Sequence, residues 1–222
     1  MIREMRPCGS LLLLGVFLAI AGCASTKMTS RVDPAIVGNP FRKILVHGNF
    51  QDLDNREVAE DKLCEKIAAV SVSECVRALD LFFPGRQYSS EEMMQVLAAN
   101  GIDGVLVVQP TNSGTQSSYI PQTSHTTGSA SVAGNSVFGS STTTTSGGYS
   151  ISKPWATYAS SLYSVERGNV VWYATAQSSG NAYASWHDLI RSACGKTIDK
   201  LANDGAIPTR RDAFPGHSPS RR

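Results

Sequence analysis

The chain has 222 residues, of which 41% are hydrophobic and 17% are charged. This length suits one folded domain with appendages and leaves no room for a large multidomain enzyme. Its 20 basic and 18 acidic side chains give a net charge of +2. The chain therefore lacks the strongly basic field with which proteins bind nucleic-acid phosphates, and we expect no nucleic-acid partner.

Residues 1–22 are predicted to be a cleaved export signal. Arg3 and Arg6 precede an uncharged apolar run over residues 11–21, which is about half the length that spans a membrane. The next segment, Ile20-Ala21-Gly22-Cys23, resembles the lipobox of bacterial lipoproteins. The resemblance implies that cleavage leaves Cys23 as the first residue, carrying a diacylglycerol and an N-acyl chain. An ordinary secretory signal, with an incidental cysteine, is the alternative.

The lipobox resemblance also implies a location in the cell envelope. In Gram-negative bacteria the residue after the lipidated cysteine sorts the protein, and Ala24 is not the aspartate that usually retains lipoproteins at the inner membrane. We therefore expect the inner leaflet of the outer membrane, with the domain facing the periplasm. Acyl chains hold a protein there because each buried methylene contributes about 0.8 kcal/mol.

Hydrophobic periodicity predicts alternating strands and helices in the first half of the mature chain. In order, we expect a flexible tether over residues 23–40, strand 43–48, helix 54–69, strand 75–82, helix 89–99 and strand 104–109. The pairs Asp54 with Glu57 and Ser89 with Glu92 have the spacing of helix capping boxes. Asn100-Gly101 supplies a helix stop.

The second half is predicted to contain a hairpin and a final helix. Strands 155–165 and 170–177 alternate in polarity and flank the turn at residues 166–169, which indicates an antiparallel pair. A helix begins at Ser185, with Asp188 three residues on, and ends at Gly205. The order β-α-β-α-β, a long insertion, then β-β-α predicts an α/β (α+β) fold, with a mixed sheet of about five strands and helices packed on it. Residues 41–207 form this single domain, and the basic tail 208–222 is expected to be disordered.

The insertion at residues 111–152 is dominated by Ser, Thr and Gly, and no charged side chain occurs between Gly104 and Ser152. Such a segment has little apolar surface to offset its ordering entropy, so one interpretation is a flexible excursion. The other is a long extended hairpin, because residues 142–145 are all threonine. Uncharged Ser/Thr strands also do little to prevent edge pairing between copies in an oligomer.

Cysteine usage is consistent with an oxidising compartment. When Cys8 leaves with the signal and Cys23 is lipidated, Cys64, Cys75 and Cys194 remain, which allows at most one disulfide in an exported chain. Cys64 and Cys75 are the candidate pair, bridged or not, and Cys194 falls on the apolar stripe of the last helix. No Cys-x-x-Cys spacing occurs, so we expect no metal site.

Chemical motifs indicate no catalytic site, and we expect no enzyme and no cofactor beyond the lipid on Cys23. The histidines are scattered and have no metal-ligand spacing; they are His47, His125, His187 and His217. Adjacent carboxylates occur at residues 60–61 and 91–92, in helical turns that we expect to be exposed, where solubility and capping explain them.

Aromatic residues concentrate in the predicted hairpin and at the start of the last helix. They are Trp155, Tyr158, Tyr163, Trp172, Tyr173, Tyr183 and Trp186. Trp155, Tyr163, Trp172 and Tyr173 are our candidates for a binding surface, which could stack on a glycan. Core packing at alternate positions is the other interpretation.

Two segments, residues 97–107 (LAANGIDGVLV) and 162–172 (LYSVERGNVVW), together with the lipobox, resemble a group of periplasmic lipoproteins of one-domain size. The group includes the curli-secretion channel lipoprotein, activator lipoproteins of penicillin-binding proteins and the amino-terminal domain of TolB. The resemblance implies binding and assembly rather than catalysis, and no functional residue can be carried across.

The sequence thus predicts an outer-membrane-anchored periplasmic lipoprotein that acts as a non-catalytic binding or assembly module. Its expected partners are the membrane, through the lipid, and envelope proteins or peptidoglycan. The first alternative is an oligomeric secretion or pore component that uses residues 111–152. The second alternative is a hydrolase acting on peptidoglycan.

Overall fold

The computed structural model describes residues 23–36 and 40–210. The expected signal peptide and most of the basic tail lie outside these residues. Eight strands are present: β1 (Ala24–Val32), β2 (Lys43–Gly48), β3 (Glu74–Arg77), β4 (Gly104–Ile120), β5 (Thr123–Ala133), β6 (Ser136–Ser146), β7 (Tyr149–Ser164) and β8 (Asn169–Gly180). Six of them form one sheet in the order β1-β8-β7-β4-β2-β3, and within the described residues β5 pairs only with β6.

The sheet is mixed, as predicted, but it has six strands where about five were expected. β2 runs parallel to both β3 and β4, and the remaining neighbours, β4 with β7, β7 with β8 and β8 with β1, are antiparallel. The parallel pairs come from the two βαβ connections in the first half of the chain. The antiparallel part comes from the hairpin and from β1.

Four helices pack on the sheet: α1 (Leu53–Val70), α2 (Ala78–Leu81), α3 (Ser90–Ala99) and α4 (Trp186–Asn203). The capping box predicted at Ser89 is present, and Ser185, where the last helix was predicted to begin, also forms one. For α1 the N-cap is Asp52, whose side chain accepts from the N–H of Asn55, so the expected box at Asp54 is wrong. Among the described residues, no helix is both long and apolar enough to cross a membrane.

Two apolar cores cover opposite faces of the sheet. On one face, α1 and α4 bury the alternate strand residues Ile44 and Val46, together with Leu106 and Trp172. On the other face, the smaller core formed with α2 and α3 contains Leu45. In the described part of the chain, no helix covers the second face beyond β4, because α2 and α3 lie against the part of the sheet near β2. We call this bare area the open face.

Residues 24–32, which we expected to belong to a flexible tether, form the edge strand β1. Its inward positions alternate apolar residues with the hydroxyl residues Thr26 and Ser30, so the hydrophobic periodicity is weak. Thr26 Oγ1 lies 2.7 Å from both Ser178 Oγ and Ser192 Oγ, and Ser30 Oγ donates to Asp204 Oδ2 at 2.5 Å. Because these partners come from the far end of the sequence, only the folded structure shows why β1 docks.

Residues 75–82 were predicted to be one strand, but β3 stops at Arg77 and residues 78–81 form α2. The backbone N–H of Leu79, in the first turn of α2, donates to Glu60 Oε2 at 2.9 Å. Glu60 belongs to α1 and is fully buried. A side chain from a distant helix therefore supplies the acceptor for an otherwise unpaired N–H at the start of α2.

Candidate functional site

Cys23, the predicted lipidation site, lies directly before β1 and is exposed with a free thiol. Its carbonyl oxygen accepts a hydrogen bond from the N–H of Asn181 at 3.1 Å. The next residue, Ala24, pairs with Gly180 at the end of β8. Cys23 is therefore held against the folded body at one end of the sheet.

The insertion leaves the sheet at this same end. We call residues 111–152 the ribbon. β4 and β7 stay paired as far as Ile120 and Tyr149, well beyond the last pairing of β7 with β8 at Trp155 and Ser179. β5 and β6 then continue as a second hairpin. Each has 11 residues, so this distal hairpin is about 36 Å long at roughly 3.3 Å per residue.

The structure resolves the two interpretations of the insertion in favour of the extended hairpin. Every residue of β5 and β6 is exposed, and in the described chain both outer edges of this hairpin are unpaired. Hydroxyls pair across the strands, as between Thr126 and Thr143, whose Oγ1 atoms are 2.9 Å apart. A lone two-stranded hairpin is at best marginally stable in water, and its edges present backbone N–H and C=O groups that are free to pair.

The distal tip of the ribbon is apolar. Val132 pairs directly with Val137, and the neighbouring Phe138 pairs with Ser131. All three apolar side chains are largely exposed. Exposed apolar side chains that cluster at the tip of an otherwise polar hairpin are typical of a contact surface.

The structure separates the four aromatic binding candidates. Trp172 is 1% exposed in the α1/α4 core, so its assignment to a binding surface is wrong, because its position in β8 points towards the helices. Tyr163 and Tyr173 are exposed on the open face. Trp155 lies about 26 Å along β7 from Tyr163, at roughly 3.3 Å per residue, and packs over Gly114, where a Cβ would lie 3.0 Å from its ring. The candidates therefore form no single cluster.

Two basic side chains from β1 lie on the same face as the exposed tyrosines, and one of them borders Tyr173. Arg31 pairs directly with Tyr173 across the β1–β8 ladder, and Lys27 pairs with Gln177. Because side chains alternate along a strand, all four point to the open face. This face combines aromatic, amide and cationic groups, which suits a polar polymer or an acidic partner surface.

A cleft of about 310 Å³ lies between the sheet and α2/α3. Its lining is mainly apolar, with His47 and Arg56 at one side. Arg56 Nε donates to the buried carboxylate of Glu60 at 3.3 Å, and Arg56 Nη2 lies 3.3 Å from His47 Nδ1. The prediction that residue 60 is exposed is wrong, since its carboxylate also accepts from the N–H of Gly48 at 3.1 Å. Sequence periodicity could not reveal this cleft, because its walls come from five separate elements.

The structure contains a disulfide between Cys64 of α1 and Cys75 of β3, with a Cα–Cα distance of 5.3 Å. Cys194 is buried in α4, and burial raises the pKa of its thiol to about 12. Burial likewise raises the pKa of Tyr158, with a further contribution from Cys194. The thiol and the phenol both stay protonated near neutral pH, which suits core side chains. Among the described residues, no group of three or more His, Cys, Asp or Glu side chains could hold a metal ion.

No family model matches the chain, and no curated protein matches it. Similar solved structures include a PelC dodecamer from Paraburkholderia phytofirmans, with 13% identity over 82% of this chain and 98% of that chain and a TM-score of 0.45. A second crystal form of that dodecamer, with a Leu-to-Met change, is 15% identical over 83% of this chain and 99% of that chain, with a TM-score of 0.46. Lipoprotein GNA1162 from Neisseria meningitidis gives 14% identity, 73% and 99% coverage and a TM-score of 0.38. These values assign no family to the chain.

Proposed function

We propose that this protein is a lipid-anchored, non-catalytic module of the bacterial cell envelope, which binds or assembles with other envelope components through its ribbon. The proposed anchor is the acylated Cys23, and the proposed location is the periplasmic side of the outer membrane. One observation carries the proposal. The ribbon is long, uncharged and exposed on both faces, and the edges of its distal hairpin are unpaired in the described chain.

The ribbon supports binding because its chemistry is that of a recognition surface. Unpaired strand edges present rows of N–H and C=O groups that can add a strand from a partner. Val132, Val137 and Phe138 add an apolar contact at the tip. Ser and Thr hydroxyls along the strands can hydrogen-bond to a protein or to peptidoglycan. These groups recognise surfaces and require no reacting centre.

A second candidate function is an oligomeric secretion or pore component. It is favoured by the absence of charge from Gly104 to Ser152, because charged side chains on edge strands are a common defence against pairing between copies. In this case the partner of the ribbon is the ribbon of another copy.

The test is site-specific photocrosslinking in living cells with the full-length, lipidated chain. A photoreactive residue replaces Ser140 of β6 in one strain and Glu91, which is exposed on α3, in a control strain. We expect discrete adducts from position 140 and none of the same size from position 91. Mass spectrometry then separates an envelope protein or peptidoglycan from a second copy of this chain. Equal adduct patterns at both positions would contradict a role for the ribbon.

The anchor is tested separately. Cys23→Ser should abolish palmitate labelling and release the protein into the soluble periplasm, whereas Cys194→Ala should retain labelling and membrane association. Retention of the Cys23→Ser protein in the membrane fraction would show that the lipid is not the anchor.

A further inference from the structure

Two large aromatic side chains are exposed at the same end of the sheet as Cys23. Asn181, whose N–H binds the Cys23 carbonyl oxygen, begins the short loop that leads into α4. Tyr183 in this loop is 74% exposed, and Trp186, the first residue of α4, is 43% exposed. Consecutive Cα atoms are 3.8 Å apart, so Tyr183 lies within about 15 Å of Cys23.

The start of α1 extends the same surface. His187 Nε2 lies 3.0 Å from Asp54 Oδ2, which brings the first turns of α4 and α1 together. Leu53, next to Asp54, is another exposed large apolar side chain. We call this surface, formed by Cys23, Leu53, Tyr183 and Trp186, the anchor end.

The carboxylates at the anchor end have partners within the protein. Asp188 accepts from the backbone N–H and the hydroxyl of Ser185, at 2.8 Å each. These hydrogen bonds lower the pKa of Asp188. Asp52 caps α1 and Asp54 faces His187. Leu53, Tyr183 and Trp186 project from the same surface.

We propose that the anchor end is a membrane-interface surface, in which Tyr183 and Trp186 lie among the lipid headgroups beside the acylated cysteine. This inference rests on the proposed lipidation of Cys23. Because β1 begins at Ala24 and the Cys23 carbonyl oxygen is bonded to the body, no tether separates the lipid from the fold. Trp and Tyr favour the headgroup region, since their rings are apolar and their N–H or O–H groups need polar partners.

Contact of the anchor end with the membrane would fix the orientation of the whole molecule relative to the membrane. The ribbon leaves the sheet at the end that holds Cys23, so it begins at the lipid surface. No charged side chain lies between Thr111 and Ser152, and the next one along the chain is the exposed Lys153, which pairs with Gln116 at the base of the ribbon. A lysine there can extend its ammonium group to the headgroup layer. The β7–β8 turn at residues 165–168, at the opposite end of the sheet, then faces away from the membrane.

The test uses tryptophan fluorescence of the full-length acylated protein in phosphatidylcholine vesicles, with and without bromine on the acyl chains near the headgroup. Trp155→Phe removes the tryptophan at the base of the ribbon, which leaves Trp186 and the buried Trp172. We expect brominated lipid to remove most of the Trp186 emission. Adding Trp186→Phe should abolish the dependence on bromine, because Trp172 lies in the core at the far end of the sheet.

Two results would overturn the proposal, and they are distinguishable. Mass spectrometry could show that Cys23 is acylated while the emission is equal in brominated and plain vesicles. In that case the anchor end does not lie at the membrane interface, but the proposed function stands. If Cys23 is not acylated, both fail. Should Trp155→Phe fold poorly, comparing the unaltered chain with Trp186→Phe alone isolates the same Trp186 contribution.

Discussion

Trp172 Nε1 donates a hydrogen bond to Asp204 Oδ2 at 2.8 Å, which joins β8 to the C-cap of α4. The same carboxylate accepts from Ser30 Oγ of β1 and from Lys200 Nζ at 2.8 Å. One side chain therefore ties the edge strand, its neighbouring strand and the last helix together, at the end of the sheet opposite Cys23. Burial alone would raise the pKa of Asp204, but the hydrogen bonds from Lys200, Ser30 and Trp172 outweigh it and lower that pKa.

We predict that Asp204→Asn destabilises the fold by about 1–3 kcal/mol, because it removes charge-assisted hydrogen bonds from a largely buried site. Urea unfolding at pH 7, followed by circular dichroism, measures the change. Asp199→Asn is the matched control. Asp199 is 41% exposed and pairs only with Lys66, at 3.0 Å, among the ion pairs of the described chain, so we expect a loss below about 1 kcal/mol.

The effect of Asp204→Asn should also depend on pH. Because the pKa of Asp204 is lower in the folded state, its contribution is present above the unfolded value, about 3.9. It is lost as the pH falls through the folded value. The difference in unfolding free energy between the unaltered protein and Asp204→Asn should therefore shrink on acidification. A difference that stays constant from pH 7 to strongly acidic pH would contradict this assignment.

The elements that sequence patterns predicted well are those with local signals. Ser89 and Ser185 are each followed three residues later by a carboxylate, and both helices start there. The elements that were missed depend on distant partners. β1 is an alternating strand whose inward hydroxyls are hydrogen-bonded to β8 and α4, and α2 exists where Glu60 accepts from its first turn. Periodicity detects apolar faces and has no means of detecting inward polar groups that are paired in the fold.

The same distinction applies to the candidate site. The absence of charge identified the ribbon from the sequence. The sequence could not decide between a flexible excursion and an extended hairpin, because exposed Ser/Thr strands show no alternation of buried and exposed residues. The sequence also identified the aromatic residues as binding candidates. Which face of the sheet each one occupies depends on its position along the strand. Thus Tyr173 reaches the open face while its neighbour Trp172 is buried.

The Cys64–Cys75 disulfide closes a loop of 11 residues between α1 and β3. We predict that Cys64→Ala with Cys75→Ala lowers the unfolding free energy by about 2–3 kcal/mol, since the unfolded chain regains the loop-closure entropy. Urea unfolding with and without dithiothreitol measures this change. The unaltered protein should lose stability in the reductant and the double variant should not. Cys194→Ala, which removes the buried thiol, should remain sensitive to the reductant.

Removal of the distal hairpin should leave the folded body intact. We predict that replacing residues 121–148 with Asn-Gly, which joins Ile120 to Tyr149 through a two-residue turn, changes the unfolding free energy by less than about 0.5 kcal/mol. The reason is that no residue of β5 or β6 belongs to either core of the described chain. Thermal and urea unfolding of the unaltered protein and of the shortened variant measure this change in stability. A large loss of stability would show that the ribbon packs on the body.

The unpaired edges of the distal hairpin make a specific prediction about assembly. Thr126 and Thr143 lie directly opposite each other in β5 and β6. Thr126→Lys with Thr143→Glu keeps an attractive cross-strand pair, so the hairpin should be preserved. The same change places a charge on each edge strand, which opposes pairing with another strand.

We therefore expect Thr126→Lys with Thr143→Glu to remove the ribbon-dependent adducts formed by a photoreactive residue at position 140. Thr126→Val with Thr143→Val is the matched control, because it retains the β-branched shape without charge and should keep the adducts. Light scattering of the detergent-solubilised lipoprotein shows whether a self-assembled species disappears in parallel. If the charged pair leaves both adducts and particle size unchanged, the edges are not the contact. Serine substitutions at Val132, Val137 and Phe138 then test the apolar tip in the same assay.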